Sequence, residues 1–257
     1  MRRFQVVILL SVWVLNHTGC SRKEDVAVEK SKINTTLHQE LAHEAKSTRD
    51  ESSSHENRHA DHRHAFANPK ELAKKWNDPT RDEWQHPEQI IGALSLESGQ
   101  TVADIGAGTG YMVAHLSKVV GQDGTVIAVD AESAIIGYLT DHMTQLGPAK
   151  IVPNKVGFHD PELAPASVDA VVTLDTWHHV AGQEAYAQKV YNGLRPGGRF
   201  VVVDYAIDAE TGPPKEMRLS PDDVIVQLEK GGFRAEVVSE TMPRHYMVVG
   251  VKDKKLE

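Results

Sequence analysis

The spacing of apolar residues changes repeatedly along the chain from about residue 65 to the end. Short apolar runs have the length and β-branched content of buried strands, and between them apolar residues recur with the spacing of amphipathic helices. The pattern predicts strands at residues 102–105, 125–129, 150–156, 168–174, 199–203, 233–240 and 245–251. Strands that alternate with helices are typical of an α/β domain with a mostly parallel sheet.

The first strand ends in a turn with glycine at alternate positions, Gly106, Gly108 and Gly110, and an apolar helical pattern follows. Glycine allows a tight turn and a close approach of the backbone to a ligand, because it has no Cβ. The open N–H groups at the start of the next helix favour an anionic group. The strand, turn and helix together predict a nucleotide-type cofactor site.

Polar and aromatic residues follow the next three strands at their carboxyl ends, where open α/β sheets bind their ligands. Asp130 ends the second strand about 20 residues after the glycines, which suits hydrogen bonds from ribose hydroxyls. After the third strand, Phe158 can stack on a purine and Asp160 can accept from its amino group. The fourth strand is followed by Asp175, Thr176, His178 and His179.

Three segments resemble, in their order and spacing, the motifs of class I S-adenosylmethionine-dependent methyltransferases. They are residues 104–110 (Asp-Ile-Gly-Ala-Gly-Thr-Gly), Asp130, and residues 194–198 (Leu-Arg-Pro-Gly-Gly). The resemblance covers the chain from about residue 65 onward. It implies an α/β fold with a Rossmann-like seven-stranded sheet of order 3-2-1-4-5-7-6, mostly parallel with strand 7 antiparallel, and helices on both faces. It also implies S-adenosyl-L-methionine as the cofactor and methyl transfer as the reaction.

The resemblance further implies where the parts of the cofactor lie. Gly106 and Gly108 face the methionine portion, Asp130 binds the ribose, residues 158–160 lie near adenine, and residues 175–176 lie beside the sulfonium. The full set of implied cofactor contacts is Asp104, Gly106, Ala107, Gly108, Thr109, Gly110, Asp130, Ala131, Phe158, His159, Asp160, Asp175 and Thr176.

The main alternative from the residues is an NAD-dependent oxidoreductase, because Asp130 suits a ribose in either case. Its glycine pattern is G-x-G-x-x-G, whereas this chain has G-x-G-x-G. Asp104 is also two residues before the first glycine, where a carboxylate repels a pyrophosphate but attracts the cationic amino acid portion of S-adenosylmethionine. The sequence therefore favours the sulfonium cofactor.

His178 and His179 are the candidates for a catalytic base, because imidazole titrates near neutral pH. The alternative is that one histidine caps the next helix and the other packs at the rim of the site. The acceptor is not specified by the sequence beyond a small-molecule or lipid-like compound. The net charge of −8 disfavours nucleic acid as a partner, and the lack of cysteine in the core disfavours thiolate-bound arsenic.

The first 20 residues are predicted to form a signal peptide. Arg2 and Arg3 precede an apolar run at 4–15, which is too short to cross a bilayer. Thr18-Gly19-Cys20 resembles the bacterial lipoprotein signal, in which the cysteine is lipidated, although His17 replaces the usual leucine. The expected location is the cell envelope, with the protein held on the membrane and facing the periplasm; an uncleaved N-terminal anchor is the alternative.

Residues 21–64 are predicted to be a disordered polar tether, because they contain too few apolar residues to form a core. His55, His59 and His62 would share one face of a helix there and could bind a transition metal weakly. A histidine-rich linker without metal is favoured, because no fixed scaffold supports a site. Residues 65–257 are predicted to form the methyltransferase domain, with a helical lead-in at 65–96 that includes a polar and aromatic cluster at 81–85.

Export and cofactor supply are in tension, since S-adenosylmethionine is made in the cytoplasm. One resolution is a non-catalytic, envelope-anchored binding protein on a methyltransferase scaffold. Another is a cytoplasmic enzyme whose N-terminal signal is not used. The complete glycine turn with its two carboxylates, Asp104 and Asp130, favours a working cofactor site.

Overall fold

The computed structural model describes Phe66 and residues 68–254. The predictions for the signal peptide, Cys20, the tether and the histidines at 55, 59 and 62 lie outside the described residues. No helix among the described residues has both the length and the apolar character that a membrane span requires. Within the same residues, no group of three or more histidine, cysteine or acidic side chains is arranged to hold a metal ion.

Seven strands form one sheet in the order β3-β2-β1-β4-β5-β7-β6. Their bounds are β1 Thr101–Ile105, β2 Thr125–Asp130, β3 Lys150–Lys155, β4 Val168–Leu174, β5 Leu194–Tyr205, β6 Arg234–Val238 and β7 His245–Val251. Strands β1 to β5 pair in parallel, and β7 runs antiparallel to both β5 and β6. The predicted fold class, strand order and orientation of strand 7 are confirmed.

Among the described residues, seven α-helices lie around the sheet. They are α1 Pro69–Trp76, α2 Asp82–Gln85, α3 Pro87–Leu94, α4 Tyr111–Val120, α5 Ser133–His142, α6 Gln183–Gly193 and α7 Pro221–Lys230. Short 3₁₀ turns lie at Pro79–Arg81, Met143–Gln145, Trp177–His179 and Lys215–Met217. The helical lead-in thus consists of three short helices, because Asp78-Pro79 and His86-Pro87 each interrupt it.

Alternate residues of each central strand enter the two cores on opposite faces of the sheet. In β1, Val102 packs with helices α3 to α5, whereas Ala103 and Ile105 pack with helices α6 and α7. In β5, Val201 belongs to the first core and Phe200 to the second. This period of two buries both faces of the sheet, so that only its edges are open to a ligand.

Strand β5 is longer than the sequence pattern predicts. The segment 195–198 is a helix-stop signal, but in the structure it continues the strand, because Gly197 N donates to Lys252 O and Lys252 N donates to Gly198 O. Gly197 has φ +83°, which favours glycine, and the register shifts between Val168 and Ala170 opposite this segment. The pairing partner is more than 50 residues away, and local sequence therefore gives no sign of it.

Candidate active site

The glycine turn joins the tips of β1, β2 and β4 at the carboxyl edge of the sheet. Gly106 N and Ala107 N both donate to Val129 O of β2, at 2.9 and 3.0 Å. Gly106 has φ +75°, and a Cβ built there would lie 2.7 Å from the Cβ of Thr176, which follows β4. The missing side chain at 106 is therefore required by the close approach of Thr176, and the turn and the β4 tip form one packed unit.

The other two glycines of the turn also face protein side chains. A Cβ at Gly108 would lie 3.4 Å from the Trp76 ring, and one at Gly110 would lie 3.0 Å from Leu146. Their φ angles are +52° and +94°. The positive φ angles agree with the tight turn predicted from the sequence, and at Gly110 the close approach of Leu146 also limits the space for a side chain.

Asp130 orders the glycine turn from the tip of β2. One carboxylate oxygen accepts from Gly108 N at 3.1 Å and the other accepts from Glu132 N at 2.9 Å. Burial raises the pKa of Asp130, and these backbone N–H groups oppose the rise. Ala131, the next residue, is half-buried at the start of the loop before α5.

Asp104 is the most buried carboxylate of the turn, with 2% of the residue exposed. No donor among the described residues lies within hydrogen-bond distance of its carboxylate. Burial raises the pKa of Asp104 to about 7; the negative charge of Asp130 adds to the rise and the positive charge of Arg81 opposes it. A buried charge without a partner is costly, and this carboxylate is therefore suited to a cationic ligand group.

The lead-in segment lies on the glycine turn and is hydrogen-bonded to it. Asn77 donates from Nδ2 to Thr109 O at 2.8 Å, and Thr109 donates from Oγ1 to Asn77 Oδ1 at 2.7 Å. Tyr111 at the start of α4 donates to Asp82 Oδ1 at 2.7 Å. Thr109 thus serves as an attachment point for the lead-in, which covers the loop that the sequence assigns to the cofactor.

Arg81 connects the lead-in to the tip of β4. Its Nη2 lies 3.1 Å from Asp175 Oδ2, with 12% and 23% of the two side chains exposed. The guanidinium also donates to Gln85 Oε1 and to Trp76 O, and it lies 4.1 Å from the ring centre of Tyr111. The predicted cluster at residues 81–85 therefore contacts the site directly.

We expect Arg81→Met to destabilise the protein by about 3 kcal/mol, because it leaves a half-buried Asp175 carboxylate without its guanidinium. Hydrogen exchange should rise specifically in residues 69–85, and urea unfolding gives the free energy. Lys74→Met is the matched control, since the ion pair of Lys74 with Glu71 is exposed, and it should change stability by less than about 0.5 kcal/mol. Equal exchange in the lead-in of both variants would contradict the expectation.

Asp175 also binds a histidine from β7. His245 Nε2 lies 2.7 Å from Asp175 Oδ1, and the imidazole is completely buried. Asp175 itself has φ +56°, a conformation that few residues other than glycine adopt. Its two carboxylate oxygens thus face Arg81 on one side and His245 on the other.

His178 forms a second imidazole–carboxylate pair with Asp204 at the end of β5. His178 Nδ1 lies 2.7 Å from Asp204 Oδ1, and the His178 backbone N–H donates to Asp204 Oδ2 at 3.0 Å. The side chain of His178 is 3% exposed. The neighbouring His179 is exposed, and the two imidazole centres lie 4.1 Å apart.

The segment predicted to lie near adenine follows β3. Phe158 and His159 are exposed, and Asp160 is half-buried. Lys189 of α6 lies 3.0 Å from Asp160 Oδ2 and donates to His159 O at 2.8 Å, which fixes the segment against α6. Burial tends to raise the pKa of Asp160, but the hydrogen bond from the Glu162 N–H and the Lys189 ammonium together hold this pKa below its ordinary value.

Four residues at this edge were not identified as site residues from the sequence: Asn77, Asp204, Arg244 and His245. Asp204 ends a strand in the same way as Asp130, and that signal could have identified it. His245 begins an antiparallel strand, so that its amino end meets the carboxyl ends of its neighbours. Only the topology of the sheet places it there.

A family model described as a methyltransferase domain matches residues 96–236, more than half of the chain, and the chain belongs to this family. It is 29% identical over 118 residues to the ubiquinone/menaquinone biosynthesis C-methyltransferase UbiE of Haemophilus ducreyi, covering 45% of each chain. It is 27% identical over 157 residues to the arsenite methyltransferase of Halobacterium salinarum, covering 55% of this chain and 39% of the relative. The chain thus spans less than half the length of these curated relatives.

A solved structure of a SAM dependent methyltransferase from Aquifex aeolicus has a TM-score of 0.65 and 27% identity to this chain. The match covers 72% of this chain and 98% of that one. Unlike the curated relatives, this structure is matched over nearly its whole length.

The residues present fit S-adenosylmethionine, the cofactor of this family. The ammonium group of this cofactor requires an anionic partner. Asp104 is a buried carboxylate that has no hydrogen-bond donor among the described residues. The ribose of the cofactor requires acceptors, and Asp130 holds its carboxylate at the tip of the adjacent β2. The chain therefore has the fold of the S-adenosylmethionine-dependent methyltransferases, and Asp104 and Asp130 lie where they are suited to that cofactor.

Proposed function

We propose that this protein transfers a methyl group from S-adenosylmethionine to a small-molecule acceptor. The observation that carries the proposal is the buried carboxylate of Asp104 beside the glycine turn, without a donor among the described residues. A dinucleotide would bring a pyrophosphate to this turn, and Asp104 would repel it, whereas Asp130 suits the ribose of either cofactor. Asp104 therefore favours a cationic cofactor over NAD.

In this proposal Asp104 binds the ammonium group, the backbone of residues 106–110 packs against the methionine portion, and Asp130 binds the ribose. Phe158, His159 and Asp160 border the adenine, and Asp175 and Thr176 lie on the sulfonium side. When bound, S-adenosylmethionine supplies an electrophilic methyl group on its sulfonium. The protein contributes mainly by positioning the two reactants, which accounts for much of the rate of an in-line displacement.

The acceptor class is proposed from charge and composition. The net charge of −8 disfavours a nucleic acid, and the only cysteine is Cys20, far in sequence from the domain. A small or lipid-like molecule is favoured, and the relatives reported above are named for ubiquinone/menaquinone biosynthesis and for arsenite. For an acceptor that must lose a proton, His178 and His179 remain the candidates predicted from the sequence.

We also propose that the protein is anchored in the cell envelope through Cys20, because the first 20 residues resemble a lipoprotein signal. If the anchored protein lacks access to the cofactor, the domain would serve as a binding protein without turnover. Native mass spectrometry of protein from its own membranes therefore has two readouts: a diacylglycerol on Cys20 and a bound nucleoside.

The test of the proposed function is calorimetric titration with S-adenosylmethionine and with NAD. We expect saturable binding of S-adenosylmethionine and of its demethylated product, S-adenosylhomocysteine. We expect no binding of NAD. S-adenosylhomocysteine keeps the ammonium group that Asp104 binds in this proposal. It should therefore bind more weakly at low pH, where Asp104 is protonated, than at neutral pH. Binding of NAD instead, or no binding of either nucleoside, would refute the proposal.

A further inference from the structure

We propose that His245, held by Asp175, takes the proton from the methyl acceptor, and that Arg244 binds an anionic group on the same acceptor. The acceptor class is then a small anionic molecule with an ionisable hydroxyl group. This inference rests on the proposed methyl transfer and specifies its acceptor side.

The first observation is an unpartnered nitrogen in the core of the site. His245 Nε2 lies 2.7 Å from a carboxylate oxygen of Asp175, which can only accept, so that Nε2 carries the proton and donates it. This assignment leaves Nδ1 with a free lone pair. Nδ1 is buried and has no hydrogen-bond partner among the described residues. A buried polar atom without a hydrogen bond destabilises the folded state, and a donor from a ligand would remove that cost.

The second observation is the position of this pair. His245 is the register partner of Tyr205, the last residue of β5, and Asp175 follows the last residue of β4. Thr176, the next residue, packs against Gly106 of the glycine turn. The imidazole therefore lies at the carboxyl edge of the sheet, on the side of the turn where the family pattern puts the sulfonium.

His178 has different surroundings, although it too is paired with a carboxylate. Asp204 accepts from the ring of His178, from the His178 backbone N–H and from Tyr205 N, and it is 1% exposed. Three donors converge on this carboxylate, as expected for an anchor between the tips of β4 and β5. Asp175 is more open, with 23% of its side chain exposed. The two environments assign the proton transfer to His245 and the anchoring to His178.

The third observation is a guanidinium without an anionic partner next to this histidine. The Arg244 guanidinium lies 4.5 Å from the ring centre of Trp84, and no acidic side chain among the described residues lies within 4 Å of it. The same Trp84 ring is nearly parallel to the His245 imidazole, with centres 6.1 Å apart. Both groups thus contact the Trp84 ring, and in the proposal an acceptor that displaces this ring and carries a hydroxyl and a carboxylate or phosphate contacts both of them. Arginine binds such anions with two parallel hydrogen bonds.

The Trp84 ring lies against the buried His245 imidazole, and the proposal therefore requires this ring to move aside for the acceptor to reach Nδ1. In the reaction, the acceptor hydroxyl gives its proton to His245 Nδ1. The acceptor oxygen forms a bond to the methyl carbon as the carbon–sulfur bond breaks, with the electron pair of that bond remaining on sulfur. His245 becomes a cation paired with Asp175, and it later releases the proton to solvent.

The test uses 4-hydroxybenzoate, which carries both groups, and 4-hydroxybenzamide, which lacks the charge. Binding of each is measured by calorimetry to protein saturated with S-adenosylhomocysteine, and methylation is measured by mass spectrometry. We expect the acid to bind at least about tenfold more tightly than the amide, the value of one charge-assisted hydrogen bond. Arg244→Gln should remove this preference.

For His245, the informative measurement is the dependence of kcat on pH. Wild-type kcat should rise and then reach a plateau as the base becomes neutral, whereas kcat of His245→Gln should be about 100-fold lower and rise with pH without a plateau. His178→Gln should keep the plateau, whatever its overall rate. His142→Gln, on the outer helix α5, is the neutral control. Nitrogen NMR of the wild-type imidazole, with a shift of Nδ1 when the acid is added, provides a readout that needs no variant.

Three results would overturn the inference while S-adenosylmethionine still binds. They are equal affinity for acid and amide, no methylated product from the bound acid, and a plateau that persists in His245→Gln or disappears in His178→Gln. Failure of wild-type protein to bind S-adenosylmethionine is a different result, because it refutes the proposed function itself.

Discussion

Gly106→Ala is expected to abolish the binding of S-adenosylmethionine and to destabilise the protein. A Cβ at this position lies 2.7 Å from Thr176 Cβ, and the φ of +75° is strained for alanine. Left-handed backbone costs about 1–2 kcal/mol and overpacking costs about 1–3 kcal/mol. The free energy of unfolding should therefore fall by about 2–5 kcal/mol.

The loss of binding follows from the contacts of the turn. Gly106 N and Ala107 N are bonded to Val129 O, and relief of the clash must move either this pair or the β4 tip that carries Asp175 and Thr176. Both belong to the proposed cofactor site. We expect an affinity loss of at least about 100-fold, which corresponds to about 2.7 kcal/mol.

Gly137→Ala is the control for this substitution. Gly137 lies in the middle of α5, and a Cβ there has no atom within 4 Å. Alanine should stabilise the protein by about 0.5–1 kcal/mol and leave binding unchanged, because glycine is unfavourable inside a helix. Calorimetric titration and thermal unfolding measure both variants. Normal cofactor affinity in Gly106→Ala would show that the turn does not form the site.

Asp104→Asn is expected to increase stability at pH 8 while it removes cofactor binding. Burial raises the pKa of Asp104 to about 7 in the folded protein, from an ordinary value of 3.8. The folded state thus holds this proton more tightly than the unfolded chain. The resulting stabilisation is complete below pH 3.8 and is lost as the pH rises through about 7. At pH 8 the buried carboxylate is ionised, and asparagine avoids that penalty.

The gain in the free energy of unfolding at pH 8 has an upper limit of about 4 kcal/mol, because each pKa unit is worth about 1.36 kcal/mol. Cofactor binding should respond in the opposite direction. An ionised Asp104 attracts the ammonium group, so that wild-type affinity should rise between about pH 6 and 7.5. Asp104→Asn should bind about 100-fold more weakly, without this pH dependence.

Asp123→Asn is the matched control, because Asp123 is an exposed residue of the turn before β2. It should change stability by less than about 0.5 kcal/mol and leave affinity unchanged. Denaturation at pH 5 and pH 8, with titrations at pH 6 and 7.5, separates the two effects. If Asp104→Asn is less stable than wild type at pH 8, the carboxylate has a structural role, and the assignment to the ammonium group is wrong.

The opposite effects of this substitution on stability and binding are expected where a site is arranged for a ligand that is not part of the chain. An unpaired buried charge destabilises the folded state, and such a group persists where function requires it. The unpartnered Nδ1 of His245 is of the same kind. Both groups lie at the carboxyl edge of the sheet.

The period of apolar residues determined most of the architecture. Runs such as 168–174 have the length and β-branched content typical of buried strands, and in the structure their alternate residues enter the two cores. The strand order implied by the motif resemblance is confirmed. Strand ends were less predictable. The segment 195–198 is a local signal for the end of a helix. In the structure, however, the backbone of Gly197 and Gly198 pairs with Lys252, directly after β7. Such pairing depends on contacts distant in sequence.

The sequence by itself determined the glycine turn, Asp104, Asp130 and the carboxyl edge where they lie, since each depends on neighbours in the chain and on the position where a strand ends. The tertiary structure alone decided how the polar groups at that edge are paired. Asp175 meets Arg81 from the lead-in and His245 from β7, which lie 94 and 70 residues away. The physical reason is the antiparallel β7, which returns its first residue to the edge where its parallel neighbours end.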